Sequence, residues 1–513
     1  MALNVYKNCN YINLVSFLKK AVELYGDSPV ALIKEDDGVR QISYNEFYGE
    51  VVRGAAEIVS TIGKGNNIAL CGKFDYSFML SFFQIIFSEN IVVSLDIQQS
   101  DDIIRKSIVN ADIHYYLSDL NDDNALADSA EKICLNGSAH EHSAENDMEK
   151  EITPDSTAII IFTSGTEGDP KAVALSHENI LSNIFYSMKI VGLDNFSTED
   201  HIVSVLPAFH MFQLVTGFLT PLAFGVANCF ASKEAELLKC FRLFQPKVLI
   251  AVPEVLKSFR KLIAGGLKGN PVLLLGAKLK SIVCGGAFCP VDVLKWYDSI
   301  GINVHYGYGI TECSPVISCS LPTQEIDGSV GIPDSEYCTV SISEDNEILV
   351  KGQGVFKGYW NKTELANYNS PDGWYHTGDI GYLDENGKLF ISGRKKNVLV
   401  LESGNNVVPE ELEKEAEKSE YVIEALVYIH ASHQSEMLGC DVVMNERFYE
   451  ELSGKQQEEA VENIKRKINN EQPKYKNIAV IRCVKEPFIR NKVGKILRYN
   501  YVTERGRLIE ENE

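Results

Sequence analysis

Residues 159–177, IIIFTSGTEGDPKAVALSH, decide how the rest of the 513-residue chain is read. Ala158 through Phe162 is an apolar, β-branched run of the kind a buried strand requires. The sequence then turns small and polar at Thr163-Ser164-Gly165-Thr166-Glu167-Gly168-Asp169. It passes Pro170-Lys171 and becomes apolar again at Ala172–Leu175. The pattern predicts strand, hydroxyl- and glycine-rich loop, strand. Such a loop offers backbone N–H groups and hydroxyls to an anion, and Lys171 adds a point charge. The spacing of Gly165, Gly168 and Lys171 does not fit the G-x-x-x-x-G-K-[ST] phosphate loop. Taken alone, the stretch reads equally as a tight hairpin with a solvated lysine.

Upstream, residues 1–60 carry a helical pattern with a strand pair around Ala31–Lys34 and Ile42. Apolar runs then alternate with helical ones at Ile68–Cys71, Phe78–Phe87, Ile91–Leu95 and Ile113–Leu117. That alternation predicts parallel-sheet α/β units. Residues 137–152 are small, polar and acidic, a surface linker into the loop. Downstream, a helix is expected over His177–Val191, with strands near Ile202–Leu206, Ala227–Phe230, Val248–Val252 and Lys280–Cys284. Two further strands run into glycine-rich turns, at Gly285-Gly286-Ala287 and at Tyr306-Gly307-Tyr308-Gly309. In open α/β sheets ligands sit at such carboxyl ends. From about Gly328, short strands (Cys338–Ile342, Glu347–Lys351, Lys388–Ser392) predict a β subdomain. Beyond the basic junction at 392–397, a strand at Val398–Leu401 and a helix opening at Pro409 predict a separate α+β domain.

Lys+Arg 49 against Asp+Glu 71 gives a net charge of −22, which disfavours nucleic acid or an anionic membrane as the main partner. The twelve cysteines are scattered without a C-x-x-C pair, so a zinc site is not expected and a reducing, cytoplasmic setting is. The amino terminus reads as an amphipathic helix rather than a signal peptide. Residues 212–230 are uncharged over 19 positions but contain Gln213, Pro221 and Asn228. They read as a buried helix broken near Pro221, then a turn and strand, rather than a transmembrane span.

Eight motifs stand in order: TSGTEGDPK (163–171), LPAFHMF (206–212), GGA (285–287), YGYGITE (306–312), EILVKGQGVFKGYW (347–360), WYHTGDIG (374–381), GRKKNVLVLESGNNVVPEELE (393–413) and RNKVGKILR (490–498). On these the chain resembles the adenylate-forming superfamily of acyl-CoA synthetases, firefly luciferase and peptide-synthetase adenylation domains, along nearly its whole length. The resemblance implies an α/β fold. A large N-terminal part, residues 1–392, would hold two layered α/β subdomains plus the β subdomain. A hinge at 393–396, pivoting about Lys396, would lead to a small mobile α+β domain at 397–513.

The resemblance also implies roles. Thr163, Ser164, Gly165, Thr166, Gly168 and Lys171 would wrap the β- and γ-phosphates of ATP. Gly285, Gly286, Ala287 and the Tyr306-Gly307-Tyr308-Gly309 turn would enclose the adenine, with Tyr308 against its face. Thr311 would bond the α-phosphate and Glu312 would hold Mg²⁺. Asp379 would accept the ribose hydroxyls and Arg394 would meet the ribose or phosphate. Lys495 would reach the bridging oxygen and the substrate carboxylate. His210 would line the acid pocket and gate the second step, and Gly404 would line a pantetheine channel. Each residue has a plain structural alternative: Tyr308 as core, Glu312 as a helix-start carboxylate, His210 as a satisfied core histidine. Glu167 stands where the family loop commonly carries Thr or Ser, and Ala172 where it carries Gly.

The implied chemistry is AMP-forming activation of a carboxylic acid, a fatty acid by the look of LPAFHMF, GYGITECSP and VFKGYW, followed by transfer to the thiol of CoA. The alternative acceptor is an acyl carrier protein. A luciferase-like oxidase shares the first half-reaction. A non-catalytic nucleotide-binding module is the reading from another class, against which Lys495, Glu312 and Asp379 stand. Residues 485–498 hold Lys485, Arg490, Lys492, Lys495 and Arg498 against Glu486, a local excess that suits a segment closing over a triphosphate.

Overall fold

The deciding stretch forms an antiparallel hairpin, Thr157–Ser164 against Pro170–Ser176, in which Thr163 lies opposite Lys171 and Ser164 opposite Pro170. Ala158, Ile159, Ile160 and Ile161 are buried, which is why the first strand sits inside a sheet rather than at its rim. This computed structural model describes residues 13–35, 38–118, 125–135, 152–164, 170–192, 196–230, 237–264, 276–361, 364–367, 372–402, 405–432, 435–470, 472–490, 496–503 and 505–509. The loop positions Gly165, Thr166, Glu167 and Gly168, the linker, Gly404 and Lys495 lie outside the described residues.

The chain divides into two compact units, Met1–Val340 with Val350–Tyr375, and Ser341–Leu349 with His376–Glu513. The first unit contains two eight-stranded sheets. One runs Glu364–Asn367, Gly358–Asn361, Pro170–Ser176, Thr157–Ser164, Ile91–Ser94, Asn67–Cys71, Ile113–Ser118, Glu131–Lys132. The other runs Val316–Cys319, Asn303–Gly309, Ser281–Cys284, Val248–Ala251, His201–Ser204, Ala227–Phe230, Pro29–Glu35, Gly38–Ser43. Their centres are parallel, and their edges are antiparallel except at Glu131–Lys132, which pairs parallel with Ile113–Ser118, so both faces of the central strands need cover. Helices such as Leu14–Tyr25, Tyr44–Ile62 and His177–Val191 carry the apolar stripes for it. The last two start with capping boxes, Ser43 with Glu46 and Ser176 with Asn179, which satisfy their first N–H groups. The expected α/β class is therefore what the chain adopts.

Residues 212–230 depart from expectation in one detail. The helix is not broken at Pro221: a π-helix over Gln213–Leu219 passes directly into an α-helical turn, Thr220–Phe224. In that wider turn the Thr220 N–H bonds Val215 O, five residues back, so the hydrogen-bond ladder is already shifted where Pro221 withholds its donor. The helix stops at Gly225, in the left-handed region at φ 72°, and the strand Ala227–Phe230 follows as predicted. The segment is buried, and Phe218 packs edge-on against Phe82 and Phe83. No described helix is long and apolar enough to cross a membrane.

The second unit contains a three-stranded sheet of Val422–Ser432, Ser435–Met444 and Ile478–Val484, with helices Pro409–Glu417 and Gly454–Asn469. Its core, from Leu399 and Val407 through Leu412, Val427, Cys440 and Ile468 to Ile478, draws only on residues beyond 397. The expected hinge positions lie in this unit: Arg394 ends the strand Leu389–Arg394, and Lys395–Asn397 make one 3₁₀ turn. None of the described cysteines forms a disulfide.

Candidate active site

Three of the eight motifs meet at the carboxyl ends of neighbouring parallel strands in the first unit. Cys284 pairs with Tyr306, so Gly285 and Gly307 continue side by side. A Cβ on Gly285 would stand 3.3 Å from Gly307 O and 3.6 Å from the Phe212 ring, which brings LPAFHMF to the same place. Gly309 is obligatory for a different reason. A Cβ there would overlap the Pro315 carbonyl, the acceptor of a 3.0 Å bond from Ile310 N. That bond folds the chain back so that Thr311–Cys313 form a short 3₁₀ turn.

Asn183, on the helix His177–Val191, fixes this turn by donating to Cys313 O (3.2 Å) and Val316 O (2.9 Å). Ser314 Oγ donates to Gly354 O at 2.8 Å, and Phe356 N to Glu312 O at 2.8 Å. The segment after Gly352 is thereby laced to the Glu312 turn. Tyr308, Thr311 and Glu312 are half-buried. Tyr306 is different: it is buried, its hydroxyl accepts from Cys289 N at 3.0 Å, and burial pushes its pKa up. Its side chain props the chain that follows the GGA loop. His210 is half-buried, its ring 4.7 Å from that of Phe209, at the start of the turn that leads into the π-helix.

Lys171 and Glu312 are linked through a residue to which the sequence reading gave no role. Strand Gly358–Asn361 pairs with the hairpin, Tyr359 opposite Val173. The Lys171 ammonium sits 5.5 Å from the centre of the Tyr359 ring, and the Tyr359 hydroxyl donates to Glu312 Oε1 at 3.2 Å. Tyr375 OH lies 3.5 Å from Tyr359 OH, and Phe356 packs edge-on against both rings. Burial, and then the Glu312 charge, push the Tyr375 pKa up, so it is a proton donor. The described residues hold no cluster of three His, Cys, Asp or Glu side chains able to cage a metal. A single carboxylate suits a hard cation that keeps its waters and takes its other oxygens from a ligand, as Mg²⁺ does.

In the second unit Asp379 and Arg394 face each other across the antiparallel pair Tyr375–Leu383 and Leu389–Arg394. Arg394 Nε stands 2.6 Å from Asp379 Oδ1, and Asp379 N donates to Thr377 Oγ1 at 3.1 Å. The two residues expected at the ribose thus orient one another, with Asp379 almost wholly buried and Arg394 more open. A second missed residue, Glu347, bonds the neighbours of both in sequence. It accepts from Gly378 N at 2.9 Å and Lys395 Nζ at 2.7 Å, with His376 Nδ1 at 3.2 Å. Burial alone would raise its pKa, but Lys395, His376 and the Gly378 N–H outweigh it and hold the carboxyl below its usual range. Asp345, also on Lys395, is lowered to about 2.

The basic excess of residues 485–498 is partly compensated within the fold. Arg490 pairs with Glu424 at 3.0 Å, and Arg498 pairs with Glu413. These partners lie far off in sequence, where a local charge count does not see them.

Comparison with known proteins follows the same lines. Residues 18–360 match the model of the family described as AMP-binding enzyme. Long-chain-fatty-acid–CoA ligase of Haemophilus influenzae is 30% identical over 276 residues, 51% of this chain and 48% of the relative. Long-chain-fatty-acid–CoA ligase 5 of Mus musculus is 30% identical over 348 residues, 56% of this chain and 50% of the relative. The chain thus spans about half the length of the curated relatives it matches. Among solved structures, O-succinylbenzoate coenzyme A synthetase of Bacillus subtilis in complex with AMP superposes with a TM-score of 0.77 at 21% identity, covering 98% of this chain and 100% of that one. The same enzyme in complex with ATP and magnesium ion gives 0.76 at 21% identity, covering 94% and 98%. At that identity the likeness establishes the shared fold.

Proposed function

Because the chain belongs to the AMP-binding enzyme family, we propose that it is an ATP-dependent, AMP-forming ligase that activates a carboxylic acid and passes the acyl group to the thiol of CoA. The observation that carries this reading is the Lys171–Tyr359–Glu312 contact, which gathers a cation and a carboxylate beside the hydroxyl-rich hairpin. The fatty-acid ligases among its relatives support a fatty acid as the substrate class.

A carboxylate is a poor acyl donor because it repels nucleophiles and oxide does not leave. In the first step its oxygen attacks the α-phosphorus of ATP. The new O–P bond forms as the bond to the β-phosphate oxygen breaks, giving acyl-adenylate and pyrophosphate. The thiolate then adds to the acyl carbon and AMP departs with the C–O bond electrons. Lys171 and Thr163 lie opposite one another at the mouth of the hairpin and are suited to the leaving pyrophosphate. Glu312 would hold Mg²⁺ together with phosphate oxygens, and the ion would neutralise triphosphate charge. Thr311 would bond the α-phosphate, Tyr308 would cover the adenine and Asp379, aligned by Arg394, would take the ribose hydroxyls. Lys495 would stabilise the charge that develops between carboxylate and α-phosphate, and would be withdrawn by rotation about 393–396 for the second step. Gly404 would then line the pantetheine path and His210 the acid pocket. A cytoplasmic setting accords with the free thiols.

The test is a pyrophosphate-release screen over acids of graded length and aromaticity, with CoA or a holo carrier protein as acceptor. Release should require a fatty acid and be accelerated by CoA. Acceleration by carrier protein alone would replace CoA as the acceptor. Rates indifferent to both acid and acceptor would sink the ligase reading.

A further inference from the structure

Lys171 and Glu312 bear opposite charges on adjoining elements of one unit. Free to meet, a lysine and a glutamate would form an ion pair and cancel the charges that a metal–triphosphate complex needs. Among the described residues they form no ion pair with each other. Tyr359 instead contacts both. Its ring face takes the ammonium at 5.5 Å, and its hydroxyl takes the carboxylate at 3.2 Å. A phenol has one proton. Since Glu312 can only accept, that proton is given to Glu312, and the 3.5 Å approach of Tyr375 OH is made as a donor toward the Tyr359 oxygen. The relay Tyr375 to Tyr359 to Glu312 anchors the Oε1 atom of the carboxylate.

The frame around Tyr359 is rigid. Its strand is paired to the hairpin on one side and to Glu364–Asn367 on the other, with Gly358 opposite both Ala174 and Asn367. Phe356, buried, wedges against the rings of Tyr359 (4.8 Å) and Tyr375 (5.3 Å). Asn179 Nδ2 donates to Gln353 O at 2.7 Å and Val355 O at 3.1 Å, holding the approach to the strand.

We propose that Tyr359 is a positioning residue that separates Lys171 from Glu312 and presents each to the metal–triphosphate complex. The inference rests on the proposed function. It makes two separable demands on one side chain, the ring for the lysine and the hydroxyl for the glutamate. Tyr359→Phe removes the second and keeps the first; Tyr359→Leu removes both.

The experiment uses the full chain with α,β-methylene ATP, reading Mn²⁺ binding by the loss of the free-ion electron paramagnetic resonance signal. Protection of Lys171 from acetylation by the nucleotide is read by mass spectrometry. In Tyr359→Phe, Mn²⁺ should bind roughly three- to tenfold more weakly, the worth of about one ordinary hydrogen bond, as fits a contact of 3.2 Å. Lys171 should stay protected as in the parent. In Tyr359→Leu, Mn²⁺ binding and Lys171 protection should both fall. Tyr375→Phe should weaken Mn²⁺ binding less than Tyr359→Phe does. Parent-like Mn²⁺ binding in Tyr359→Phe, or identical behaviour of the Phe and Leu variants, would overturn the inference while leaving the ligase reading intact. A parent enzyme that takes up no Mn²⁺ with the nucleotide would overturn the reading on which it rests.

Discussion

Asp379→Asn tests the ribose assignment with little change of shape. The two residues face each other through backbone pairing of their strands, which the substitution leaves alone. What changes is charge. The Arg394 Nε to Asp379 Oδ1 contact at 2.6 Å becomes a hydrogen bond from a guanidinium cation to a neutral amide oxygen, and because the Arg394 side chain is 37% exposed the lost ion-pair attraction is screened, to within about 1 kcal/mol of stability. The ribose loses more. Two hydrogen bonds to a carboxylate become, at best, hydrogen bonds to an amide, at about 1 kcal/mol each. The sum of about 2 kcal/mol is roughly a thirtyfold rise in the Kd for ATP. Titration calorimetry of ATP on parent and variant, with melting curves of both, reads the two effects separately. The expected result is a large fall in affinity with a small fall in Tm. An ATP Kd within threefold of the parent, with a clear loss of Tm, would make Asp379 a structural partner of Arg394 and refute the ribose role.

Two further perturbations follow from the packing. His177 is buried, its Nδ1 accepts from Leu14 N at 3.2 Å, and burial lowers its pKa to about 3. The unfolded chain binds that proton near pH 6.5 and the native chain does not, so this contribution is complete above pH 6.5 and is lost as pH falls toward 3, at about 1.4 kcal/mol per pH unit. His177→Asn keeps an acceptor and removes the titration; melting curves from pH 7 to 4 should fall less steeply than those of the parent, and parallel curves would refute the assignment. Gly309→Ala drives a methyl into the Pro315 carbonyl, against backbone that cannot yield cheaply. It should abolish ATP binding in calorimetry while Gly454→Ala, which meets nothing within 4 Å, leaves it unchanged.

Much of this architecture is legible locally because its causes are local. The β-branched run at Ala158–Phe162 and the glycines after it specify a hairpin, and the strand Ala227–Phe230 ends where its apolar pattern ends. Gly309 is glycine because other backbone passes where a side chain would be, and at Gly285 the Gly307 carbonyl would crowd one at 3.3 Å. Non-local relations are what the linear pattern hides. Tyr359 gains its role only when its strand pairs beside Val173, nearly two hundred residues earlier. Glu347 reads as an ordinary strand residue until Gly378, His376 and Lys395 close around it. The reading of 485–498 as a surplus of positive charge missed Glu413 and Glu424 for the same reason. Pro221 shows the converse: the residue is a correct signal of a perturbed helix, but the perturbation is absorbed as a widened turn rather than a break.

Acid activation with release of pyrophosphate is the central claim, and exchange of labelled pyrophosphate into ATP measures it without any thiol acceptor. The parent should catalyse exchange only when a substrate acid is present, and Lys495→Ala should abolish that exchange while ATP still binds in calorimetry. Exchange that needs no acid, or that survives in Lys495→Ala, would contradict the account.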